Sequence, residues 1–139
     1  MRIASLLTLF LASLLLPAQD TTTKVKTVGV TPTSVASGKE MFHAYCASCH
    51  GIDGKGNGPA ASALKNKPTD LTLLAKTSAG KFPSMRVMNS IKDGTQAGHG
   101  SKDMPVWGPI LSTVSSDSQA IVNQRIANLV GFIESMQAK

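Results

Sequence analysis

Cys46-Ala47-Ser48-Cys49-His50 decides how the rest of the chain is read. The two thiols are three residues apart, about one helical turn, so on a helix both face one side. His50 follows the second thiol directly and brings an imidazole to the same place. Toward the N-terminus, Gly38, Met41, Phe42, Tyr45 and Cys49 recur at three- and four-residue steps and mark one face of a helix. Ser37 with Glu40 three residues on fits a capping box, with Ser34 as an earlier alternative cap. This helix is expected to run to about Cys49. After it, Gly51-Ile52-Asp53-Gly54-Lys55-Gly56-Asn57-Gly58-Pro59 holds four glycines in nine residues, a density that ends any helix.

The remaining pattern is helical and short-ranged. Ala60 to Lys65 has room for one turn, and Pro68 interrupts the chain beyond it. Asp70 is a candidate cap for a short helix over Leu71 to Lys76. Ser84 to Lys92 carries Val87, Met88 and Ile91 on one face, with Gly94 just beyond as a stop signal. Gly94 to Pro109 reads as loop. The most regular segment comes last, where Val122, Ile126, Leu129, Val130, Ile133 and Met136 form a wide apolar face on a helix starting near Asp117 or Ser118. No alternating strand and no internal repeat is visible. The expected fold class is all-α.

At 139 residues the chain makes one compact domain and falls short of two ordinary ones. Charged residues are 16%, below the usual quarter, which excludes a disordered or coiled-coil chain. Two cysteines exclude a disulfide-rich scaffold, and with three histidines they cannot supply several metal sites. The net charge of +6 comes from scattered lysines without a basic stripe interleaved with aromatics, so nucleic acid is not an expected partner. At the N-terminus, Arg2 precedes an apolar run from Ile3 to Leu16, then Pro17-Ala18 and polar residues. That order reads as a secretory signal over residues 1–18, short of the ~20 apolar residues of a full membrane span. Leu16 is not the small residue that cleavage prefers, so the alternative is retention as a membrane anchor. Residues 19–33, rich in threonine, read as a flexible tether, leaving a domain over 34–139.

C-x-x-C-H is the pattern of covalent haem attachment. Thiols one turn apart can add across two vinyl groups of one porphyrin, and the adjacent imidazole becomes a ligand to its iron. The other ring nitrogen then needs a carbonyl acceptor, and the loop after His50 is expected to provide it through Pro59. A zinc knuckle would need a second pair of ligands, and His43, His50 and His99 show no paired spacing. A thioredoxin-like pair would sit in a strand-helix-strand pattern, which is missing.

On these residues the chain resembles the class I cytochrome c family, most closely small monohaem proteins and oxidase-associated domains that read G-x-x-x-F-x-x-x-C-x-x-C-H-G. Here the matching residues are Gly38, Phe42, Cys46, Cys49, His50 and Gly51, and residues 53–59, 68–72 and 104–108 are similar too. The resemblance implies a domain of three to five helices wrapped around one covalently bound haem c. It also implies a methionine as second axial ligand. Of six methionines, Met104 lies in a loop late in the chain and is followed by Pro105; His99, five residues earlier, is the rival. Trp107 is expected either to donate its indole N–H to a haem propionate, as the resemblance suggests, or to pack in the core. Phe42, Phe132, Leu129 and Gly38 are expected where the first and last helices meet. Two departures stand out: a long link from Pro109 to Gln119, and Phe132 where the family often has tyrosine.

The implied function is a single-electron carrier and not an enzyme, exported to the periplasm or the outer face of the cytoplasmic membrane. A thioether ligand raises the reduction potential relative to a bis-histidine site. Redox proteins with acidic patches are the expected partners of a monomer whose membrane link depends on an uncleaved signal. The alternative is a cytochrome subunit within a larger dehydrogenase or terminal oxidase complex.

Overall fold

The computed structural model describes residues 32–94, 103–114 and 117–139. The expected signal over 1–18, nearly all of the tether and His99 lie outside the described residues. Among those residues there are five α-helical segments and no strand: α1 (Gly38–Met41), α2 (Ala47–His50), α3 (Ser84–Asp93), α4 (Trp107–Val114) and α5 (Gln119–Ser135). None of these helices is long and apolar enough to cross a membrane.

Ser37 caps α1, its hydroxyl accepting the Glu40 N–H at 3.1 Å. The reciprocal half of the capping box does not form, because the Glu40 carboxylate accepts from the Ser34 N–H at 3.3 Å. Between α1 and α2, Phe42–Cys46 forms a π-helical turn in which the Ala47 N–H reaches back to the Phe42 carbonyl. The chain is therefore helical from 38 to 50, with one wide turn immediately before the second half of the thiol motif. Asp70 caps as expected, accepting the Thr72 N–H at 2.9 Å. What it starts is a 3-10 turn, Leu71–Leu73, followed by another at Lys76–Ser78, instead of a continuous helix.

α3 ends at Gly94 (φ 84°) and buries Val87 and Ile91. α5 is capped by Ser118 and buries Val122, Ile126, Leu129, Val130 and Ile133 of the stripe read from the sequence, whereas Met136 follows the last helical residue and is half-buried against the core. α5 packs across α1 and the start of the π-helical turn, where the rings of Phe42 and Phe132 lie 5.4 Å apart. Gly38 makes that crossing possible, since a Cβ there would collide with the backbone carbonyl of Asn128. The side chain of Asn128 then donates to the Val35 carbonyl at 2.8 Å and ties the start of α1 to α5.

Two expectations need correction. The loop does not extend to Pro109, nor is the stretch from Pro109 to Gln119 a plain link, because Trp107–Val114 is α4. Pro109 is its third residue, where a helix has no internal acceptor for an N–H, so proline costs nothing there. Leu111 of α4, 2% exposed, enters the core. The apolar stripe of α5 also contains a charged member. Arg125 is 3% exposed, donating to the Asp117 carboxylate at 2.6 Å and to the Thr33 carbonyl at 2.8 Å.

Candidate functional site

The end of α2 is locked by the glycine loop. The carbonyls of Ser48, Cys49 and His50 accept from the N–H groups of Ala60, Gly58 and Gly56 at 2.9, 3.1 and 2.7 Å. These are carbonyls that a helix C-terminus would otherwise leave without partners. Gly56 sits at φ +73°, and a Cβ there would collide with the Pro68 carbonyl. Its missing side chain lets the Pro68-Thr69 segment pass close to α2.

That passage supplies the imidazole's partner. Nδ1 of His50 lies 3.1 Å from the Thr69 carbonyl oxygen. With its proton on Nδ1 the neutral ring donates to Thr69 and leaves Nε2 as the free lone pair for a metal. The partner is thus Thr69 and not Pro59, which is exposed and lies outside the cavity wall. The loop expected to supply the acceptor is spent on capping α2, and the next stretch of chain reaches the ring instead. Burial lowers the His50 pKa, opposed by the Thr69 hydrogen bond, so the neutral imidazole is favoured. Burial also pushes the Cys46 thiol up to about 12, with Cys49 adding to the shift. Both cysteines are free, without a disulfide between them.

Cys46, Cys49 and His50 open onto a cavity of about 360 Å³. Its opposite parts come from distant segments: Leu71 and Leu74 after the proline, Val87 and Ile91 of α3, and Met104 with Trp107 at the start of α4. Trp107 stacks on Tyr45, with ring centroids 5.3 Å apart and planes 27° apart, so two aromatic rings form one wall. His43 is exposed and meets Phe42 and Phe132 edge-on at 6.3 Å, outside the cavity wall.

The residues fit a covalently attached haem. Two free cysteines one turn apart, a histidine with an oriented ring nitrogen and Met104 all line one largely apolar cavity. They do not suit structural zinc: among the described residues no cluster of His, Cys, Asp or Glu can hold a metal ion alone. Sequence reasoning missed Thr69, whose role lies in its backbone carbonyl and leaves no side-chain signature. It also missed Arg125, hidden in an apolar period.

No curated relative matches the chain. A family model described as Cytochrome c does match, over residues 35–137, a stretch that contains the thiol-imidazole motif, the glycine loop, Met104 and α5. The chain therefore belongs to the cytochrome c family, whose cofactor is covalently bound haem c.

Proposed function

We propose that the protein is a one-electron carrier working outside the cytoplasm, with haem c tied to Cys46 and Cys49 and the iron held by His50 and Met104. The observation that carries this reading is a single cavity shared by those four side chains, although Met104 follows His50 by 54 residues. When bound, haem c supplies a reversible one-electron couple. The chain supplies the rest. Thr69 fixes the His50 ring, the apolar walls exclude water, and the Tyr45-Trp107 pair closes one side. Iron with two side-chain ligands keeps no site for a substrate, which supports a carrier over an enzyme.

Export rests on the basic, apolar and small-residue order of residues 1–18. Removal of that segment takes away Arg2 alone and leaves 13 basic against 8 acidic residues, or +5. A positive chain favours redox partners that present acidic patches, with an association rate that falls as salt rises.

The test is a redox titration followed by absorption spectra on protein matured in an exporting host. The wild type is expected to show the weak near-infrared charge-transfer band of methionine-ligated ferric haem, and Met104→Ala to lose it. A band that survives in Met104→Ala contradicts the ligand assignment.

A further inference from the structure

A buried ion pair stands behind the aromatic wall of the haem cavity. Arg125, inside α5, donates Nε–H to the Asp117 carboxylate at 2.6 Å, and the Asp117 side chain is itself only 13% exposed. Its Nη1 donates to the Thr33 carbonyl at 2.8 Å and lies 3.3 Å from the Thr33 hydroxyl. That hydroxyl is 3.0 Å from the hydroxyl of Tyr45. Tyr45 lines the cavity and stacks on Trp107. A positive charge thus lies in the protein core, paired with a largely shielded carboxylate at its edge, and the cation is linked to the cavity wall through two hydrogen bonds.

Stability alone does not account for this arrangement. A buried ion pair is often matched or bettered by apolar residues of similar volume, because desolvating both charges offsets their attraction. What a buried pair does provide is a local field, screened far less than that of surface charges. Oxidised haem carries one more positive charge than reduced haem. A nearby cation therefore favours the reduced form and a nearby anion the oxidised form.

We infer that the Arg125–Asp117 pair, linked to the haem wall through Thr33 and Tyr45, is an electrostatic device that sets the reduction potential of this cytochrome. The inference rests on haem occupying the cavity walled by Tyr45. The two halves of the pair pull the potential in opposite directions, and their balance fixes its value. Thr33 and Tyr45 are positioning residues that hold the cation's near side against the wall.

The experiment measures the midpoint potential, at neutral pH, of the haem-loaded full chain and of four single variants and one double variant, with covalent haem and visible spectra checked in each. Asp117→Asn leaves the cation uncompensated, and the potential is expected to rise. Arg125→Gln leaves the carboxylate uncompensated, and the potential is expected to fall. Arg125→Lys keeps the charge and is expected to return close to the wild-type value. Tyr45→Phe breaks the hydrogen-bonded link, and in that background the Asp117→Asn shift is expected to shrink. If Arg125→Gln does not fold, the isosteric Asp117→Asn still decides by its sign. Spectra intact with both potentials unmoved, or both moved in the same direction as a loosened haem pocket would move them, overturn the inference. A wild-type chain without covalent haem instead overturns the reading on which it rests.

Discussion

The Nδ1 atom of His50 lies 3.1 Å from the carbonyl oxygen of Thr69, and Gly56 is the residue that allows the two to meet. Three separate pieces of backbone are joined there: the end of α2, the glycine loop and the segment after Pro68. The orientation of the one imidazole next to the thiols depends on an acceptor that no side chain supplies.

Gly56→Ala tests that dependence. Alanine at φ +73° is strained by about 1–3 kcal/mol, and its methyl group also pushes the Pro68-Thr69 backbone away. The holoprotein is expected to melt at lower temperature. With the imidazole a weaker donor once its N–H loses the carbonyl, the potential is expected to rise. An unchanged melt and potential contradict the assigned role of the loop.

Gly38 and Gly131 form a second, paired test. Gly38→Ala drives a methyl group into the Asn128 carbonyl where α1 crosses α5, and is expected to cost about 1–3 kcal/mol. Gly131→Ala on the exposed side of α5 meets nothing within 4 Å and is expected to stabilise by about 0.5–1 kcal/mol through helix propensity. Guanidinium unfolding of both variants reads the two signs directly. Equal effects would contradict the helix crossing.

The acid limb of stability reports on Asp53. Its carboxylate accepts the Lys55 N–H at 3.3 Å, which lowers its pKa below the ordinary 3.8, with further help from the Lys55 charge and Asn57. A depressed carboxylate contributes stability above its unfolded pKa and loses it as the pH falls through the lower folded value. Asp53→Ala is therefore expected to melt slightly below wild type near neutral pH, with the gap closing as the pH falls through the lowered carboxylate range. A gap that widens in acid contradicts the sign.

Association with a redox partner is expected to slow as ionic strength rises, because the positive chain gains from an acidic surface only while the charges are unscreened. Stopped-flow electron transfer at two salt concentrations checks this. A rate independent of salt points to an apolar docking face.

Much of this architecture was legible from residue spacing. The stripe of α5 and the 84–93 helix announce themselves by period and by stop signals, and C-x-x-C-H names its own chemistry. α4 was hidden because Trp107-Gly108-Pro109 reads as a breaker, yet a helix's first turn tolerates each of those residues. The π turn over Phe42–Cys46 inserts one residue without any compositional mark. Thr69 acts through backbone, and backbone partners depend on how loops fold back, which spacing does not encode. Arg125 interrupts an apolar face that otherwise predicts only burial; Asp117 is eight residues away, before the helix cap, and Thr33 is 92 residues away, so neither pairing is marked by helical spacing.

The central claim is that Cys46 and Cys49 hold one haem covalently. Mass spectrometry of the chain matured in an exporting host measures it most directly. The expected result is a polypeptide heavier by one haem, with pigment that stays with the protein in acidified organic solvent and is lost when both cysteines are replaced by alanine. A coloured wild type that gives up its pigment to the solvent, or a colourless one with the bare polypeptide mass, contradicts it.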